Sequence, residues 1–213
     1  MDATQYSLAF TTAPDFENPL DGGAGNTYVV YVTISDGTNT GSMIQYTITV
    51  TDKSEFTISD TTDSNAASNT VSEGASDNAE VGITATATDD DSGDSVTYTM
   101  QTTTTACDGW FDIGSSDGIV RVDGSSELDY ETVTSCVISV TSTSSDTSTS
   151  TEDFTITLTD VNEHAVTSPT DTDTDDNTLA ENVANGASAE ITAAASDSDG
   201  TDNTVTFGIA SQT

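Results

Sequence analysis

Between residues 28 and 50 the chain alternates apolar and polar positions. Tyr28, Val30, Val32 and Ile34 share one parity; after a Ser-Asp-Gly-Thr-Asn-Thr-Gly stretch, Ile44, Tyr46, Ile48 and Val50 share one parity again. Period two gives an extended segment a single apolar face, and an Asp-Gly step between two such segments marks a turn joining antiparallel strands. The same grammar returns at residues 137 to 140, followed by Phe154, Ile156 and Leu158. Shorter strands are expected at 81–87, 96–100, 119–122 and 191–195, and no stretch carries a helical stripe. Short strands separated by Gly, Asp and Ser turns predict an all-β chain built of β-sandwiches.

The pattern also repeats. "ITVTD" ending at Asp52 matches "ITLTD" ending at Asp160; Glu73 in "VSEG" matches Glu181 in "LAEN"; Asp89 and Asp91 in "ATDDD" match Asp197 and Asp199 in "ASDSD". Each pair is 108 positions apart. Asp15 and Glu17 in "PDFEN" match Asp129 and Glu131 in "LDYET" at 114 positions, a difference of loop length. A period near 100 residues suits one sandwich domain. In this register residues 1–53 are the second half of one repeat, 54–161 a complete repeat, and 162–213 the first half of a third. The polypeptide is thus expected to begin and end inside repeats.

Charge changes the picture. The 213 residues hold 37 Asp and Glu against 2 Lys and Arg, a formal net charge of -35. Phosphate binding needs basic side chains to displace counterions, so nucleic acid is excluded as a partner, and an anionic membrane surface repels the chain. Such charge with 33% hydrophobic residues resembles a disordered composition, but the strand periodicity opposes that reading. A folded chain this acidic repels itself unless cations neutralise it. No apolar run is long enough for a transmembrane helix, and no basic segment followed by an apolar one marks a signal peptide.

The repeating landmarks are acidic and sit at strand ends and linkers. Ca²⁺ takes six to eight oxygen ligands from carboxylates, carbonyls, Asn side chains and water, whereas Mg²⁺ retains its waters. One His and 2 Cys disfavour Zn²⁺. The order of these landmarks, an early Glu, then DxD, DxE and a linker motif, resembles the cadherin repeat. Here they are Glu73, Asp89 and Asp91, Asp129 and Glu131, and "DVNEH" from Asp160 to His164. "WFDIGSSDGIVRV" is similar to the family's aromatic, Gly turn and apolar strand.

That resemblance implies tandem immunoglobulin-like, cadherin-type Greek-key sandwiches with Ca²⁺ at the junctions between repeats. At the second junction it implies carboxylates from Glu73, Asp129, Glu131, Asp160 and Glu163, and the side-chain oxygen of Asn162. Backbone carbonyls of Val161 and His164, the carboxylates of Asp197 and Asp199, and a carbonyl near Asn203 complete the set. The first junction has Asp15, Glu17, Asp52, Glu55, Asp89 and Asp91, but "DKSEF" replaces the linker motif. Ser54 stands where an Asn is expected, Lys53 adds a positive charge, and Ser144 occupies the late Asp position with Asp146 nearby. Weaker binding is expected there.

The implied function is a calcium-rigidified extracellular, cell-surface adhesion module whose partner is another copy of itself or a cell-surface protein. The alternative is a passive stalk, or a non-catalytic accessory region of a large secreted enzyme or surface-layer protein. His164 beside Glu163 has no nucleophile or second His in register, so the chain is read as non-enzymatic. Cys107 and Cys136 are candidates for a disulfide, and two separate buried thiols satisfy the same sequence. Trp110 and Phe111 are read as core anchors, and the acidic run at 171–176 as solubilising loop charge.

Overall fold

The computed structural model describes residues 6–124 and 128–211. Among them the regular elements are twelve strands and one 3-10 turn at Thr105–Cys107, and no helix is long and apolar enough to cross a membrane. The chain forms two compact units. One comprises residues Met1–Asp60, Ala87–Thr97 and Ser142–Ser150; the other comprises Thr61–Thr86, Tyr98–Thr141 and Thr151–Thr213.

The first unit is centred on β1 (Thr27–Val32) and β2 (Ile44–Thr49), an antiparallel pair that sets Tyr28 opposite Ile48, Val30 opposite Tyr46 and Val32 opposite Ile44. This is the register the alternation dictates, because it stacks apolar residues of both strands on one face. The turn is closed by Asp36, whose Oδ1 accepts the N–H groups of Thr38 (2.9 Å) and Asn39 (2.7 Å). Phe10 packs edge-on against Tyr28 with ring centroids 5.2 Å apart. Further along the face nothing in the described chain covers it to the same degree: Ile44 is 55% exposed and Tyr46 52%.

The second unit holds the main core. β3 (Thr62–Asp63), β5 (Glu80–Thr86), β8 (Ile119–Val122) and β7 (Phe111–Ile113) form one antiparallel sheet in the order β3-β5-β8-β7. The other sheet has the order β4-β10-β9-β6, from β4 (Thr70–Ser72), β10 (Thr149–Thr159), β9 (Ser135–Ser144) and β6 (Val96–Thr102). β4 runs parallel to β10, with Val71 opposite Leu158. Burial alternates as the sequence pattern requires. Val81, Ile83 and Ala85 of β5, Val120 and Val122 of β8, Ile138 and Val140 of β9, and Ile156 and Leu158 of β10 are all buried. Burying one such aliphatic side chain stabilises by about 1.5–3 kcal/mol.

Two features lock this core. Cys107 and Cys136 are joined by a disulfide, both fully buried, across a separation of 29 residues. Gly82, at the irregularity between Glu80 and Thr84 in β5, has φ +87, and a Cβ there would strike the Ser68 carbonyl oxygen. Only glycine fits such a left-handed, closely approached position. Trp110 (9% exposed) and Phe111 (5%) are core residues.

The remaining segment of this unit is sparse. β11 (Thr170–Asp171) pairs with β12 (Ala193–Ala194), so the strand expected at 191–195 is reduced to two residues. Glu190 has φ +56, which turns the chain just before it, and Asp171 Oδ1 accepts the Thr192 N–H (2.9 Å) in place of a longer ladder.

Candidate metal centre

In the second unit, β4 delivers Glu73 to the end of the sandwich, where the residue is 8% exposed. Its N–H donates to the Thr159 carbonyl (3.1 Å). One carboxylate oxygen accepts the Tyr130 N–H (2.5 Å) and the other the Val161 N–H (2.6 Å). A single side chain thus fixes the strand end, the "LDYE" turn and the segment after β10. Glu73, Glu131, Asp160 and Glu163 each place a carboxylate oxygen within 4.8 Å of the others, and the His164 imidazole forms a second such group with Glu131 and Glu163. Glu73, Asp129, Glu131, Glu163 and His164 line a cleft of about 610 Å³.

Asp199, 2% exposed, accepts the N–H groups of Glu163 and His164 through Oδ1, both at 3.0 Å. Burial alone would raise its pKa, but these two N–H groups prevail and hold it below the usual carboxylate value. Glu163 moves the other way: burial first, then the charges of Glu73 and Glu131, raise it. Asp160 Oδ2 accepts the N–H (2.6 Å) and hydroxyl of Thr201, and Glu131 Oε1 accepts the Gly200 N–H (2.8 Å). Asp160 Oδ1 and Asp199 Oδ2 are buried without a hydrogen-bond partner.

The other expected ligands take supporting positions. Asp129 closes its turn through the Thr132 hydroxyl (2.6 Å) and N–H (2.8 Å), which lower its pKa. Asp197 Oδ1 accepts the Asp199 N–H (3.3 Å). Asn162 is exposed, and Asn203 Nδ2 donates to the Gly200 carbonyl at 3.5 Å. Gly200 and Thr201 were not singled out by the sequence, and His164 was expected to offer its carbonyl rather than its ring.

The first unit repeats these contacts one register earlier. Asp91, 5% exposed, accepts the N–H groups of Glu55 (3.2 Å) and Phe56 (2.9 Å), as Asp199 does for Glu163 and His164. Glu17 Oε1 accepts the Ser92 N–H (3.3 Å), as Glu131 does for Gly200. Glu17, Asp52 and Asp91 bring carboxylate oxygens within 4.8 Å of one another, and Glu17 Oε2 is buried without a partner. Asp15 closes a turn through the N–H groups of Glu17 and Asn18, both 3.0 Å. Glu55 contributes its N–H, while its carboxylate lies outside the group. Asp89 falls in a separate group with Asp94 and Asp146.

A further group, Asp173, Asp175 and Glu190, lies where loop charge was expected. It has no counterpart in register, since Asn65, Ala67 and Gly82 stand 108 positions earlier. The Asp175 N–H donates to Asp173 Oδ1 (2.9 Å).

No family model matches the chain, and no curated protein matches it in sequence. Solved structures do match in fold. PcdhgB3 EC1-4 superposes over 85% of this chain and 42% of its own length, with TM-score 0.66 and 20% identity. The fold is that of cadherin domains. Protocadherin gamma B2 extracellular cadherin domains 1-5 gives TM-score 0.58 and 21% identity over 85% of this chain and 34% of that one. Human CDH23 EC21-23 gives 0.57 and 23% over 85% and 57%. The chain spans less than half the length of the first two of these cadherin-domain structures.

Proposed function

We propose that the chain is a calcium-binding part of an extracellular, cell-surface array of cadherin-like repeats, in which Ca²⁺ stiffens the linkers. Residues 54–161 form one whole repeat, 1–53 the second half of the preceding one and 162–213 the first half of the next. The observation that carries this reading is that Asp160, gathered with the Glu73, Glu131 and Glu163 carboxylates, has a buried oxygen without a partner, as does Asp199, which holds the Glu163 and His164 N–H groups. Buried polar atoms are normally satisfied, and a carboxylate oxygen without a donor is supplied for by a cation. The donor set is all oxygen apart from the His164 ring, which suits Ca²⁺.

Glu73, Glu131, Asp160, Glu163 and Asp199 would hold the ion, with Asp129, Asp197, Asn162, Asn203 and the Val161 and His164 carbonyls completing the shell. Bound Ca²⁺ would neutralise the clustered charge. The chain's own part is to place that charge: Glu73 ties Tyr130 and Val161 together, and Asp199 holds the 163–164 backbone. A poorer set at Asp15, Glu17, Asp52, Glu55, Asp89 and Asp91 would bind more weakly. The array serves adhesion, to another copy or to a cell-surface partner, and no catalytic role is proposed.

Thermal unfolding of chelator-treated protein tests this. A ligand that binds only the native state at one hundred times its Kd adds about 2.7 kcal/mol of stability. Tm is expected to rise with Ca²⁺ and far less with Mg²⁺; a Tm unmoved at millimolar Ca²⁺ contradicts the proposal.

A further inference from the structure

The two segments that flank the whole repeat hold opposite parts of one sandwich. β1 and β2 stand 108 positions before parts of β9 and β10. At the other end, β11 and β12 pair Thr170 with Ala194 and Asp171 with Ala193. β3 and β5 pair Thr62 with Thr86 and Asp63 with Ala85, the same register 108 positions earlier. Leu179 likewise corresponds to Val71 of β4 and Ile191 to Ile83 of β5, while Phe207, one position further along, corresponds to Tyr98 of β6. Residues 162–213 thus carry counterparts of β3 to β6, and residues 1–53 those of β9 and β10.

Each segment exposes what the other is shaped to cover. In the whole repeat β10 is flanked by β4 and β9 by β6. Val71, Ile83 and Tyr98 are buried there, together with Ile138, Val140, Ile156 and Leu158. In the flanking segments Leu179, Ile191 and Phe207 are each at least 50% exposed, and Val32, the counterpart of Val140, is 39% exposed. Among the described residues β1 and β2 form a sheet of two strands, so the outer edge of each takes no further strand. Apolar faces and open strand edges invite pairing with another chain.

Resting on the repeat division above but not on its ions, we propose that residues 162–213 of one copy dock on the β1–β2 face of a second copy. The strand at 178–180 then lies parallel to β2 with Leu179 opposite Val50, as β4 lies along β10 with Val71 opposite Leu158. Ile191 covers the apolar face that includes Val32. The contact joins two different surfaces, so repeated pairing builds an open chain or a ring. Both surfaces belong to an acidic protein, and salt favours the contact by screening.

Sedimentation of the full chain over a range of concentrations tests this, with Val32→Asp and Ile191→Asp. Both side chains are exposed in the single copy, so neither change removes a buried contact from it, and circular dichroism checks the fold of each. Wild type is expected to self-associate, and each variant to do so about a hundredfold more weakly, because the pairing buries an unpaired charge. An equimolar mixture of the two variants is expected to form a 1:1 dimer, since each retains the surface that the other has lost. A wild type that stays monomeric overturns the pairing, as does self-association that both variants keep. Loss with only one variant, or a mixture that stays monomeric, also overturns it. Tm measured on the same samples with and without Ca²⁺ reads the calcium proposal separately: a monomer whose Tm rises with Ca²⁺ sinks the pairing alone.

Discussion

The two acidic clusters share a set of backbone contacts and differ in the carboxylates they gather. Asp91 grips the backbone at 55–56 as Asp199 grips it at 163–164, and Glu17 meets Ser92 as Glu131 meets Gly200. The second gathers the Glu73, Glu131, Asp160 and Glu163 carboxylates, the first those of Glu17, Asp52 and Asp91. Glu73 also satisfies two backbone N–H groups that belong to different segments. A ligand that is simultaneously a structural tie makes ion binding and local order one event, because losing either exposes the other. The first cluster carries Lys53 where the second has Val161.

The largest break is in the support beneath the second cluster. Replacing Cys107 and Cys136 by Ser reopens a loop of 29 residues, which costs about 3–4 kcal/mol in the chain-entropy picture. Urea unfolding is expected to show that loss, and calcium titration to show the second cluster weakened more than the first. Next comes Glu73→Gln, which keeps the shape but removes the charge accepting the Tyr130 and Val161 N–H groups. Charged hydrogen bonds of this kind contribute roughly 2 kcal/mol, so Ca²⁺ affinity of the second cluster is expected to fall about 30-fold in calorimetry, with the first cluster unchanged. Lys53→Val sharpens the comparison from the other side. Removing an exposed repulsive charge is expected to tighten the first cluster by about 1.4- to fivefold, in line with the ~0.2–1 kcal/mol of exposed pairs.

The sequence carried the long strands because eight or more alternating positions leave no ambiguity of face. The two- and three-residue strands β3, β4, β7 and β11 were out of reach, since period two cannot be read from so few residues. Alternation also predicts a face without saying whether anything covers it, and Ile44 and Tyr46 stay exposed for that reason. At the candidate site, register located Glu73, Glu131, Asp160 and Asp199. It missed Thr201 and Gly200, which act through backbone N–H groups that every residue type carries. Asp94 escaped because a side chain displaced by a few positions breaks a linear pattern while still meeting Asp89 and Asp146 in space.

The smallest effect is a pH control at a residue that belongs to neither cluster. The Arg121 guanidinium, at 2.9 Å, and then the Ile119 N–H hold the Asp117 carboxyl below its usual range. A depressed folded pKa adds stability that is present above the unfolded value, near 3.9, and is lost as pH falls through the folded one. Asp117→Asn is therefore expected to lower the urea midpoint slightly at neutral pH and not at pH 2. Its calcium titration is expected to match wild type.

The most direct test of the central claim is an amide NMR titration of the chelator-treated protein with Ca²⁺. The account predicts saturable shifts at Tyr130, Val161, Glu163, His164 and Thr201 at lower free Ca²⁺ than those at Glu55, Phe56 and Ser92. Absence of saturable shifts at millimolar Ca²⁺, or the reverse order of filling, would contradict it.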